Sequence, residues 1–301
     1  MLRLATRTRF GAKLTEGSRK RTAGTNTAAL RQVRKLARVN RALHTPGPTR
    51  ELRFHVLEST AGDLPYYNGI PVRLSAPQWQ FVLGALAFGF AVLFWSGASF
   101  GGGVGRLIPA LLFVALPLLA LATVAGRHWR ALFRPVGPRE LVWMLGFALL
   151  NVLVSVGAAM IVRSLTTTAP NPAGALLESA TVGERVAFFA STLPQLLGEE
   201  LLTILPLLAL LSLLHARLGW SRRRALLAAW LLSALLFALA HLSTYDWNLV
   251  QCVAVIGSAR LVLTAAYIRT RNLWVSTGAH LLNDWLLLGI PLLLGLAAAQ
   301  S

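Results

Sequence analysis

Apolar residues run through this chain in long unbroken blocks, and polar positions collect between them. By hydropathy seven blocks stand out, at roughly 78–96, 105–125, 140–162, 186–214, 224–243, 249–268 and 273–297. A helix rising ~1.5 Å per residue needs ~20 apolar residues to cross a ~30 Å hydrocarbon core. The runs are continuous and lack the alternation of barrel strands. The pattern therefore predicts an all-α, polytopic transmembrane bundle of about seven spans.

The polar intervals orient the bundle. Arg127, Arg130, Arg134 and Arg139 lie between blocks two and three, Arg217, Arg222, Arg223 and Arg224 between four and five, and Arg269 and Arg271 between six and seven. The alternate intervals are poor in Lys and Arg. The positive-inside rule then predicts an internal N-terminus and an external C-terminus. Trp79, Trp95, Trp220, Trp247 and Trp274 fall near block ends, where aromatic belts form.

Composition agrees: 55% of the 301 residues are hydrophobic and 13% are charged. Cys252 is the one cysteine, which excludes a disulfide framework and a Cys-based metal site. The net charge of +18 is uneven: residues 1–53 hold 14 Lys and Arg against Glu16 and Glu51. Such a tail reads as a cytoplasmic anchor touching anionic lipid, as an organelle transit peptide, or as a nucleic-acid binder. No nucleic-acid motif accompanies it. The expected partner is therefore anionic membrane lipid, at the tail and the basic loops, and nucleic acid is not expected. Thr27–Leu43 has the makings of a basic helix, on a membrane surface or in solvent. The mixed segment Phe54–Ser75 carries no pattern that assigns it. Three regions are expected: a basic, partly disordered cytoplasmic region over 1–76, N-terminal spans over 77–165, and a polar core over 186–297.

The chemistry sits in that last region. Within blocks four to seven the ionisable groups are Glu199, Glu200, His241, Arg260, His280 and Asp284, while blocks one to three have almost none. A carboxylate at bilayer depth costs at least ~2.5–3.5 kcal/mol on insertion scales, so such groups face one another or a water-filled cavity. Spans four to seven are therefore expected to enclose one site. Phe237 and His241 share a helix face at i,i+4, as do His280 and Asp284, and Glu199 shares its face with Thr203. Glu200 points about 100° away from Glu199. Two acids, two imidazoles and a third acid suit activation of a water and stabilisation of an oxyanion, or a metal held by His and carboxylate. The bland readings are a helix–helix hydrogen bond for either histidine, an Arg260 partner for Glu200, and a histidine-orienting role for Asp284.

Gly198-Glu199-Glu200, Phe237-Ala-Leu-Ala-His241 and His280-Leu-Leu-Asn-Asp284 occur in that order on successive polar spans, with Tyr267-Ile-Arg-Thr-Arg-Asn-Leu-Trp274 before the last. Over about 186–290 this resembles the CPBP family of intramembrane proteases, relatives of the eukaryotic CAAX prenyl endopeptidase. The resemblance implies a multi-pass protein of a cell membrane, in a bacterium the inner membrane, that hydrolyses peptide bonds at or within the bilayer. Its substrate would be a peptide or protein, and prenylation does not follow. Some bacterial members are associated with bacteriocin processing or self-immunity. Glu199 with His241 would polarise a water, His280 would stabilise the oxyanion with Asp284 as its partner, and Glu200 would support the site. Phe237, Thr203 and Arg260 would be supporting residues. If a divalent metal such as zinc takes part, its ligands would be Glu199, His241 and His280, although the His-Glu-x-x-His spacing of a zincin is missing.

The family's Glu-Glu-x-x-x-Arg motif carries Ile204 at its arginine position. Arg260, mid-way along span six, is the expected substitute, paired with Glu200 or Asp284. Asp284 when ionised accepts hydrogen bonds and cannot donate to an oxyanion. Counted along the helices, His241 lies ~25 Å from Arg224 and His280 only ~13 Å from Arg271 on the same side. One span must therefore tilt, shift or begin deeper than drawn. The rival functions are a non-catalytic relative that binds a peptide or partner, and a proton- or ion-coupled transporter.

Overall fold

The computed structural model describes Phe54, Leu57, Glu58, residues 62–96, Gly105 and residues 107–298. All lie in the unit Leu52–Ser301. The basic tail and the helix expected over Thr27–Leu43 fall outside the described residues. The helices are α1 (Ala76–Ser96), α2 (Leu107–Ala125), α3 (Pro138–Leu165), α4 (Pro172–Ser179), α5 (Val182–Leu211), α6 (Arg222–Ala240), α7 (Gly257–Thr270) and α8 (Leu273–Ala298). No strand occurs among the described residues. Among the described residues seven helical stretches are long and apolar enough to cross a membrane, one for each hydropathy block, the sixth being Leu249–Thr270, which ends in α7.

Local chemistry moves the ends that hydropathy drew. Span four begins at Val182, where the blocks suggested 186, because Thr181 and Glu184 form a capping box. The Thr181 hydroxyl accepts the Glu184 N–H at 3.3 Å, and the Glu184 carboxylate accepts the Thr181 N–H at 2.8 Å. A π-helical stretch, Ser212–Arg217, then prolongs it to 36 residues, well beyond one bilayer core. Helix α4 is absent from the hydropathy pattern. It is set by the Asn171 side chain, which accepts the Ala173 N–H at 3.0 Å, and by Pro172 at its first position.

Helix α5 is the axis of the bundle. In its most apolar stretch 72% of residues are buried, against 44% or less in every other span. Its neighbours approach closely where side chains are small. A Cβ at Gly198 would overlap the ring of Phe113 on α2, a ring that is itself fully buried. Gly198→Ala is therefore expected to overpack this contact, lowering stability by about 1–3 kcal/mol. It should also displace the adjoining Glu199 and Glu200. Thermal unfolding in detergent is the check, and an unchanged midpoint would refute the close packing.

The segment that the sequence leaves unassigned is part of the core. Leu64, Tyr66, Tyr67 and Leu74 are each 2% exposed or less and join one cluster with α1, α2 and α5. Trp79 packs edge-on against Tyr66 and is only 4% exposed, so it is a core residue and not a belt residue. Arg222, at the start of α6, binds this segment to the bundle. Its guanidinium pairs with Glu58, reaches Asp63 at 2.7 Å and donates to the Tyr67 hydroxyl at 3.0 Å. The Tyr67 hydroxyl donates in turn to Asp63.

Burial by itself pushes the Asp63 carboxyl up, but hydrogen bonds from Arg222 and Tyr67 outweigh it and hold Asp63 below its ordinary 3.8. A carboxyl lowered on folding stabilises the fold above its unfolded value, and that stability is lost as pH falls through the folded value. Asp63→Asn is accordingly expected to unfold at a lower temperature than the parent at pH 7. The gap should close toward pH 3, and thermal melts across pH 3–7 test it.

Candidate active site

Glu199, His241, His280 and Asp284 line one cavity of about 480 Å³, together with Phe237 and Arg260. Its walls come from α3, α5, α7 and α8, from the capped start of α4 (Asn171–Ala173) and from the end of α6. Such a volume is in the range of ligand pockets. The expected meeting of spans four to seven is therefore present, and span three joins them.

Two helix ends bring the histidines to one place. Helix α6 stops at Ala240, and the His241 N–H turns back to the Ala238 carbonyl. The Phe237 carbonyl is left to accept from His241 Nδ1, at 2.9 Å. A carbonyl only accepts, so Nδ1 carries a proton, and in the neutral ring the lone pair is on Nε2. Helix α8 begins inside the protein: Arg271, Asn272 and Leu273 are 4%, 1% and 0% exposed. The Asn272 side chain bonds the main chain of Arg134 in both directions at 3.1 Å, which closes the helix start from outside. The start of α8 is thus covered by protein, and His280 follows two turns into the helix.

The two glutamates face different surroundings. Glu199 has 12% of its side chain exposed, and its Oε1 accepts from Gln195 Nε2 at 3.0 Å. Glu200 is fully buried. It pairs with Arg260, also fully buried, and accepts from His280 Nδ1 at 3.0 Å. Of the two carboxylates offered to Arg260 by the sequence, Glu200 is therefore the partner. The guanidinium also lies over the Phe237 ring, 4.8 Å from its centroid, and that ring is 4.6 Å from the His241 ring. Arg260 thus reaches the glutamate from another helix. Ile204, at the motif's arginine position, is buried in the apolar core.

His280 sits among acceptors. Its Nδ1 meets Glu200, and its Nε2 lies 3.9 Å from Glu199 and 3.7 Å from Asp284. Asp284 is the most open of these groups, 31% exposed, and accepts from Asn283 at 2.9 Å. Thr203 does not reach the cavity: fully buried, it gives its hydroxyl to the main-chain carbonyl of Glu199 at 3.3 Å.

Several wall residues were not singled out from sequence. Gln195, one turn before Glu199, is legible as i,i+4 once Glu199 is chosen. Tyr245 follows α6, and its phenol is pushed up to about 12 by burial and then by Asp284. It therefore stays a neutral donor at physiological pH. Asn151 and Ser155 come from α3, whose interior has no ionisable residue to mark it. Among the described residues no three His, Cys, Asp or Glu side chains are grouped to hold a metal ion. Glu199, His241 and His280, as placed, do not form such a set.

Residues 181–286 match a family model described as type II CAAX prenyl endopeptidase Rce1-like. No curated protein and no solved structure matches the chain. The matched stretch contains all three motifs and every ionisable group of the cavity. Over residues 181–286 this chain is thus similar to the Rce1-like type II CAAX prenyl endopeptidases, and the resemblance to the CPBP proteases read from its residues holds.

Proposed function

We propose that this protein is an intramembrane endopeptidase that hydrolyses peptide bonds with a water activated by Glu199 and His241. The observation that carries the reading is one cavity, walled by helices apolar enough to cross a membrane, onto which Glu199, His241 and His280 all open. Glu199 takes a proton from the water, whose oxygen attacks the peptide carbonyl carbon. The lone pair on His241 Nε2 orients that water. The carbonyl oxygen becomes an oxyanion facing His280. The acceptors around the His280 ring are all carboxylates, so the form that matches them carries a proton on both nitrogens and donates from Nε2. The proton held by Glu199 then passes to the leaving nitrogen, the C–N bond breaks, and a carboxylate and an amine result. Glu200 and Arg260 hold His280 in place without touching the reacting atoms.

The test is cleavage by the purified protein in proteoliposomes. Pairs of CAAX peptides, farnesylated and bare, and an Ala/Leu-rich transmembrane peptide are offered in water enriched in the heavy oxygen isotope. Mass spectrometry should find new termini, with one heavy oxygen in each new carboxylate. The reading is rejected if no peptide is cut, or if cleavage survives in Glu199→Gln.

A further inference from the structure

The chain between spans five and six is held at several points. After His241 it makes a 3-10 turn, Leu242–Tyr245, in which the Thr244 N–H reaches back to the His241 carbonyl at 3.0 Å. Asp246 and Trp247 follow in left-handed conformations, with φ of 50° and 59°, which residues other than glycine seldom adopt. The Trp247 N–H closes on the Leu242 carbonyl at 2.8 Å. Two side chains then tie this connection to the segment after α3. Asn248 donates to the Thr167 carbonyl at 2.8 Å, and Gln251 bonds the main chain of Ala169 in both directions at 2.9 Å. The turn therefore holds its side chains at fixed places beside the cavity.

Tyr245 is one of them. It lines the cavity four residues after His241 and is 9% exposed. Among the described residues its hydroxyl has no hydrogen-bond partner, and it is not one of the unpaired polar atoms that are closed off from solvent. Asn151 and Ser155 line the same cavity with their polar atoms closed off. The Thr192 hydroxyl is spent on the Phe189 carbonyl, and the Gln195 carboxamide is held by Glu199. Burial raises the Tyr245 phenol most, and Asp284, Cys252 and Glu199 follow, so the hydroxyl lies toward the two carboxylates of the cavity. Those carboxylates take their hydrogen bonds from Asn283 and Gln195 instead.

Peptide hydrolysis calls for such a group. As water attacks, the carbonyl oxygen gains negative charge in a cavity already lined by Glu199 and Asp284. His280 has one nitrogen left to meet it, because Nδ1 is engaged by Glu200. Asp284 when ionised cannot donate. Donors fixed in advance where charge develops lower the barrier most, and a tyrosine hydroxyl is one of the groups that serve.

We propose that Tyr245 is a catalytic residue, the second donor to the oxyanion beside His280 Nε2. This rests on the endopeptidase reading. The phenol keeps its proton throughout and gives only a hydrogen bond. That bond strengthens as the carbonyl oxygen becomes negative, so it favours the transition state over the bound peptide.

Tyr245→Phe removes the hydroxyl and keeps the ring. On the peptides that the parent cuts, kcat should fall by about 10²-fold, with KM within about threefold of the parent's. The thermal midpoint should stay level, since the hydroxyl has no partner in the protein to lose. A kcat within about tenfold of the parent's overturns the proposal, as does a loss confined to KM. Should Tyr245→Phe not fold, Tyr245→Met carries the same kcat test. A binding measurement separates this assignment from the endopeptidase reading. The probe is a dansyl-labelled Ala/Leu-rich transmembrane peptide whose central amide is replaced by an anionic phosphinic group, a stable mimic of the tetrahedral oxyanion. The all-amide peptide is the comparison, and anisotropy follows both. If the parent cuts no peptide, the endopeptidase reading fails. The donor assignment still stands if Tyr245→Phe weakens phosphinic-peptide binding by about tenfold or more and leaves the amide peptide unchanged. It falls if parent and variant bind the phosphinic peptide alike, or if neither binds it.

Discussion

Arg260→Leu is expected to cost the fold about 3–5 kcal/mol, the loss typical when one partner is removed from a buried ion pair. Glu200 would be left with its charge in an interior where it is fully buried. His280 would lose a fixed acceptor, since the same Glu200 oxygen holds both Arg260 and His280. Peptide cleavage should fall with stability. Removing both charges, as Arg260→Leu with Glu200→Leu, should recover much of the lost stability and none of the activity, because an apolar pair leaves no uncompensated charge. Arg260→Lys should do poorly as well. An ammonium lacks the planar face that lies on Phe237. Unfolding in detergent by heat and by denaturant measures all of these variants against the parent. A stable, active Arg260→Leu protein would mean that the motif arginine has no replacement here.

Glu199→Gln should have the opposite profile: cleavage down by about 10²–10⁴-fold, the usual contribution of a general base, with stability nearly unchanged. Glutamine keeps the shape and still accepts from Gln195. The side chain is partly open to the cavity and has no cationic partner as close as the one that holds Glu200. Glu200→Gln leaves Arg260 under-compensated and should lose stability first. The two variants, adjacent in sequence, thereby separate the group that handles water from the group that holds the site. Equal losses of stability in both would remove that division.

Much of this protein is legible in its amino-acid sequence. The seven spans follow from block length against bilayer thickness, a property each segment carries alone. The candidate chemistry is legible for a related reason: ionisable residues are costly in lipid, so each one inside a span draws attention to itself. Ile204 in place of arginine and Arg260 in an apolar helix are visible in the same way, and their complementarity can be stated as a choice between Glu200 and Asp284.

That choice is beyond the sequence, as is the contribution of α3. Lipid and protein interior are equally apolar, so the lipid-facing and core-facing sides of a span read alike. The rotation and depth of each helix therefore leave little trace in hydropathy. Those two variables bring Arg260 to Glu200, and set His241 at the end of α6 and His280 two turns into α8 in the wall of one cavity. They also fold the unpatterned stretch before α1 onto Arg222, through contacts more than 150 residues apart in the chain. The amino-acid pattern by itself determined how many helices cross and which side chains must find shelter. The packing of those helices decided where the shelter is, because polar partners on different spans meet only once every helix has taken its rotation and depth.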